Sequence, residues 1–206
     1  MEKFKKEIPY LAVSLLPFVY LAYIWPTLPQ RVPMHWNASG EIDRWGDKSE
    51  TLMIPLLMTG LVYVLFLILP KIDPKGKLES MGNKLNSFRM ILTCFMSVLS
   101  LYILYSIKTH NADPKMLFPL LGLLFAFLGN YMKTMKPNYF IGFRTPWTLE
   151  NEEVWKKTHK VGGMLWFIGG LLMTFTFLLE GKTQLYTFMA ILVVITIIPV
   201  VYSYLE

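Results

Sequence analysis

Six apolar stretches, each near the length needed to cross a bilayer, alternate with polar intervals along the chain. They cover residues 8–25, 52–69, 90–107, 114 to 135, 161–179 and 185 to 204. At about 1.5 Å of helical rise per residue, the first reaches roughly 27 Å, against a hydrocarbon core of about 30 Å. Proline marks several joints. Pro17 predicts a kink in the first span, Pro26, Pro29 and Pro33 predict extended chain after it, Pro55 fits the first turn of the second span and Pro70 predicts its end. Asp113-Pro114 reads as a helix start, a capping residue followed by proline at the first helical position, and Pro119 predicts a bend beyond it. Gly162-Gly163 and Gly169-Gly170 lie seven residues apart, which puts small residues on one stripe of the fifth span, where another helix can approach closely. The pattern predicts an all-α polytopic membrane protein with six transmembrane helices.

Composition agrees: apolar residues make up 54% of the 206, more than the few polar intervals could cover in a soluble domain. The first apolar run has no small-residue cleavage site and leads straight into Trp25-Pro26, so it is expected to remain a span. Cys94 is the single cysteine, which excludes an intramolecular disulfide and a cysteine-based metal cluster. The net charge of +6 comes from lysines flanking the spans rather than from a nucleic-acid surface. Six spans place both termini on one side. With them in the cytoplasm, 14 of the 20 Lys and Arg fall on the inner side, which predicts that orientation. Residues 27–50 are then an outward loop of a two-span region, 1–87, and residues 136–160 a cytoplasmic loop of a four-span region, 88–206.

Candidate chemistry lies in these two loops. As drawn, the six spans hold no Asp, Glu, Lys, Arg or His apart from Lys115 and Lys133 at the two ends of the fourth, which disfavours proton-coupled transport. Ser14, Thr59, Ser97, Ser100, Asn130, Thr174 and Thr196 read as helix–helix hydrogen-bonding residues. In the outward loop His35, Glu41, Asp43 and Asp47 are possible metal ligands, but one histidine with three carboxylates lacks a zinc spacing. No metal or other cofactor is expected; His35 and Asp43 are expected to hydrogen-bond a compact loop, with Trp36 and Trp45 at the lipid interface. Asn37-Ala38-Ser39 matches a glycosylation sequon by chance frequency and carries no weight. No nucleophile-elbow, metalloprotease or phosphate-loop pattern is present, and no enzymatic activity is expected.

The inner loop is more specific. Gly142 and Pro146 bracket Arg144 and predict a turn; Thr148 or Asn151 can cap the helix that follows. Glu150, Glu152 and Glu153 complement its N-terminus, and Glu152–Lys156 and Glu153–Lys157 have the favoured i,i+4 order. Trp155, His159 and Trp166 fall on one helical stripe. Arg144 is expected to pair with a carboxylate or helix carbonyls.

Asn138, Gly142, Arg144, Thr145, Pro146, Trp147, Thr148, Glu153, Trp155 and Lys156 resemble the signature of the SdpI family, bacterial membrane proteins that give immunity to a secreted peptide toxin. Pro33-Met34-His35-Trp36, Gly40, Asp43 and Lys48 resemble the domain of unknown function that commonly precedes it. The resemblance implies a protein of the bacterial cytoplasmic membrane that protects its producer from a membrane-active peptide, and a cytosolic helix-turn-helix repressor held at the membrane as a second partner. Toxin contacts are expected in the outward loop at His35, Trp36, Gly40, Asp43, Trp45 and Lys48, and contacts to an inner partner on the signature residues together with His159. The alternative is a membrane enzyme or permease acting on lipid or envelope components, which a polar cavity lined by several helices would favour.

Overall fold

A computed structural model describes residues 2–37, 41–74, 76–111 and 114–206. The helices are α1 (Glu2–Ile24), α2 (Met53–Pro55), α3 (Leu61–Ile72), α4 (Asn83–Thr109), α5 (Pro114–Met132), α6 (Pro146–Glu150), α7 (Glu152–Thr174) and α8 (Gly181–Leu205). Two strands, β1 (Arg31–Trp36) and β2 (Ile42–Asp47), form one antiparallel pair. Among the described residues six helical stretches are long and apolar enough to cross a membrane: Lys5–Thr27, Lys48–Ile72, Asn83–Thr109, Lys115–Met132, Glu152–Leu178 and Gly181–Leu205. The six predicted spans are thus present, and the protein is a multi-pass protein of the cell membrane.

Three boundaries differ from expectation. The second span runs through Pro70 to Ile72: the proline forgoes its bond to the Phe66 carbonyl, and only two helical residues follow it. It also starts earlier, through a 3₁₀ turn at Lys48–Leu52 and a π-helical segment at Leu56–Gly60. The fifth span begins at Glu152, so the signature runs directly into the membrane helix. Asp113, the expected cap, lies outside the described residues, as do Ala38, Ser39 and Gly40.

The chain divides into two compact units, residues 1–67 with 89–114, and residues 68–88 with 115–206. In the first, Leu21, Ile24 and Leu28 pack with Val32 of β1 and Leu104 and Ile107 of α4. That cluster seats the hairpin on the ends of two spans. Buried hydroxyls join its helices: Thr59 Oγ1 lies 2.9 Å from the Ser14 carbonyl, and Ser97 Oγ donates to the Val13 carbonyl at 2.9 Å. Both are the helix–helix bonds predicted for these residues.

In the second unit, Met173, Phe188 and Ile195 form the centre of the apolar packing. The glycine stripe of α7 divides its work. A Cβ on Gly163 would sit 2.7 Å from the Gly129 carbonyl of α5, and one on Gly170 would reach the Ala126 amide and the Gly122 carbonyl. Gly169 instead faces Ile195 of α8, and Gly162 faces the Phe143 ring. Two of the four meet the backbone of α5, and the other two are filled by a neighbouring side chain that leaves no room for a Cβ.

Candidate functional site

The loop from α5 to α7 is built from its side chains inward. Asn138 opens it, fully buried, and its short amide completes a turn. Oδ1 accepts the N–H groups of Phe140 (2.9 Å) and Ile141 (2.7 Å), while Nδ2 donates to the carbonyls of Lys136 and Ile141. Gly142 has φ of 110°, and a Cβ there would collide with His159 Nε2, so glycine is needed twice over. The next amide, Phe143, donates to His159 Nε2 at 3.0 Å. That nitrogen therefore carries no proton. His159 Nδ1 must be the protonated one, donating to the Trp155 carbonyl at 2.8 Å, which makes the ring a neutral imidazole.

Trp155 is fully buried, donates from Nε1 to the Met135 carbonyl at 2.9 Å, and stacks on His159 with centroids 4.0 Å apart. Phe143 continues this packing edge-on to His159 and Trp166, and Trp166 meets Phe125. The predicted stripe of Trp155, His159 and Trp166 thus lines an internal aromatic column.

Helix capping departs from expectation at one residue. Thr145, not Thr148, caps α6, because Pro146 fixes the first helical position directly after it. Thr148 sits three residues on, where its Oγ1 accepts the Thr145 N–H at 3.0 Å and donates to the Phe143 carbonyl at 2.7 Å. Thr145 Oγ1 also lies 3.0 Å from Ser203 Oγ of α8. Asn151 ends α6 and caps α7, accepting the Glu153 N–H at 2.8 Å.

Arg144, Pro146, Trp147, Glu153 and Lys156 are exposed. Arg144 Nη1 donates to the Tyr139 carbonyl at 2.6 Å, a loop carbonyl rather than a carboxylate or helix end. Trp147 packs edge-on against Tyr204. Glu153 pairs with Lys157 at 3.4 Å in the predicted i,i+4 arrangement, whereas Glu152 pairs with Lys77.

The first unit presents a different surface. The segment read from the sequence as a loop is a hairpin, in which His35 Nδ1 lies 2.5 Å from Asp43 Oδ1 as expected, and Arg44 meets Glu50 at 3.0 Å. Asn37 bonds Glu41 at 2.9 Å. Asp47 caps the 3₁₀ turn through Ser49, whose hydroxyl and amide hold its carboxyl below the usual carboxylate range. Lys48 Nζ sits 4.5 Å from the centre of the Trp25 ring. The two tryptophans part company: Trp36 packs against the buried cluster, and Trp45 is 44% exposed with its ring edge toward His110. Gly40 lies outside the described residues. Among those described, no three His, Cys, Asp or Glu side chains converge to hold a metal.

Sequence reading missed one cluster. Arg89 is buried in α4 and makes two bonds to Glu7 of α1, at 2.9 and 2.6 Å. Tyr63 of α3 donates to the same carboxylate at 3.1 Å, and the guanidinium lies 4.0 Å from the Tyr10 ring. Arg89 Nε is buried without a partner. Both charges fall just outside the spans as drawn. Alternation of spans was the available signal, because the starts of the first and third lie on one side of the membrane.

Residues 134–203 match the model of the SdpI/YfhL protein family, and residues 12–59 that of a domain of unknown function, DUF1648. The region that carries the signature is thus similar to the SdpI/YfhL family. The SdpI/YfhL match takes in the signature loop, α6, α7 and all but the end of α8; the DUF1648 match takes in most of α1, the hairpin and the start of the second span. The chain is also similar over its length to a Bacillus subtilis (strain 168) protein named Immunity protein SdpI. The two are 23% identical over 201 residues, which cover 97% of this chain and 95% of that protein. No solved structure matches it.

Proposed function

We propose that this protein protects the cell that makes it from a secreted, membrane-active peptide toxin, by binding the peptide at the hairpin of the first unit. The observation that carries this reading is the similarity to an immunity protein along nearly the whole of both chains. The hairpin supports the location, since it sets an exposed Trp45 and several surface charges beside the ends of the first three spans. The positive-inside distribution of Lys and Arg turns the hairpin outward and the signature loop toward the cytoplasm. Arg144, Pro146, Trp147, Glu153 and Lys156 are then the signature residues whose side chains a cytosolic repressor can touch; Asn138, Thr148, Trp155 and His159 act only through the loop they hold.

The test is growth. Expression in a sensitive strain without its own immunity gene should restore growth in spent medium from the producing strain. An intact, membrane-inserted protein that gave no protection would end the proposal. Orientation is checked in a Cys94→Ser background: Glu41→Cys should react with an impermeant thiol reagent on intact cells, and Lys156→Cys only after lysis. The reverse pattern would overturn it.

A further inference from the structure

The first unit carries a groove of about 320 Å³ where the hairpin meets the start of the second span. Its apolar walls include Met34 of β1 and Met53, Leu57 and Met58 of the span. Methionine is unbranched and polarizable, so such walls adapt to irregular apolar partners. Arg44 and Glu50 also line it, joined by their ion pair. Glu50 is fixed there, because its other oxygen accepts the Asp47 N–H at 2.9 Å. Gly46 makes the arrangement possible: a Cβ at that position would lie 2.5 Å from Glu50 Oε1 and 2.6 Å from Met34 Cγ.

Two observations select the occupant. Met53 and Leu57 are 55% and 56% exposed and belong to a membrane span, so the groove is continuous with the lipid-facing surface. The paired Arg44 and Glu50 give it a donor fork and an acceptor with no net charge. A peptide backbone offers both an acceptor and a donor to such a pair, whereas a lipid phosphodiester offers only acceptors and meets a fixed carboxylate. We infer that this groove seats an apolar segment of the secreted peptide, which enters sideways from the bilayer with its backbone beside Arg44 and Glu50. The inference rests on the immunity reading, and it puts the main contact at the methionine walls rather than at the exposed Trp45.

The test uses the full chain with Cys94→Ser, reconstituted in phosphatidylethanolamine–phosphatidylglycerol vesicles and carrying either Leu57→Cys or, as control, the equally exposed Leu172→Cys. The probe is the peptide fraction of the producing strain's spent medium, and the readout is labelling by a bilayer-permeant maleimide. Labelling at Leu57→Cys should slow about tenfold at roughly ten times Kd, as the empty fraction falls with 1/(1 + [L]/Kd), while Leu172→Cys is unchanged. In cells, Leu57→Trp should fill the groove and abolish protection at normal membrane levels. Unslowed labelling in a protein that still protects cells would overturn the groove and leave immunity standing. Labelling already slow in vesicles without peptide, and released by detergent, would assign the groove to a lipid chain and overturn it as well. Failure of the unaltered protein to protect cells would remove the immunity reading and the groove with it.

Discussion

In the hairpin, His35 meets Asp43 and Arg44 meets Glu50 on the exposed surface; in the signature loop, Asn138, Thr148 and His159 meet backbone groups in the interior. Exposed ion pairs contribute about 0–1 kcal/mol each, and other residues can replace them. A buried polar group left without its partner costs about 1–3 kcal/mol, so each internal side chain of the loop is dictated by the backbone atom it serves. The contrast separates recognisability from contact. The buried part of the signature, Asn138, Thr148, Trp155 and His159, solves a folding problem, whereas the hairpin's polar pairs lie at the surface.

Two tryptophans put that contrast to its hardest test. Trp155→Ala empties a fully buried site and frees the Met135 carbonyl, so it should cost about 3–5 kcal/mol, read from unfolding in detergent. Trp45→Ala should change stability by less than about 0.5 kcal/mol and yet weaken growth protection. Similar stability losses in both would erase the distinction between loop and hairpin.

A smaller effect is expected at the ion pair that ties α1 to α4. Glu7→Gln keeps a neutral acceptor beside Arg89 and should cost about 1–3 kcal/mol. Exchanging the two residues, Glu7→Arg with Arg89→Glu, should recover part of what Arg89→Glu alone loses. No recovery in the exchanged protein would mean that Arg89 serves the Tyr10 and Tyr63 rings rather than Glu7.

The smallest effect belongs to the hairpin's own cap. Ser49 holds the Asp47 carboxyl below its usual range, so the folded state favours the ionised form. That stabilisation is present above the ordinary value of about 3.9 and is lost as the pH falls through the lower folded value. The protection of the Ser49 amide, corrected for the intrinsic pH dependence of exchange, should therefore fall in acid, and Asp47→Asn should remove this fall. An unchanged acid response in Asp47→Asn would place the titrating group elsewhere.

The spans were legible because a bilayer demands about 20 apolar residues and the chain supplies six such runs. The turn at Gly142, the start of α7 at Asn151 and the stripe of Trp155, His159 and Trp166 were legible because short-range rules govern them. The hairpin was not read, although Val32, Met34 and Trp36 alternate with Arg31, Pro33 and His35; the prolines argued for irregular chain, and Pro33 sits beside a break in the strand register. The Glu7–Arg89 pair joins residues 82 positions apart, a separation no local pattern spans. The Arg44–Glu50 groove likewise depends on the strand pairing, which was unread.

The glycine contacts between α5 and α7 act as a vernier. Gly129 meets Gly163, and two turns away Gly122 meets Gly170, with backbone against backbone at both places. Sliding one helix along the other by a single turn, about 5.4 Å, would bring larger side chains against these carbonyls. The pair therefore has one allowed height. Because α7 begins within the signature, that height also sets how far the loop stands from the hydrocarbon. In a thicker or thinner bilayer the two helices must tilt together or deform the lipid around them, and the loop keeps its depth relative to α5.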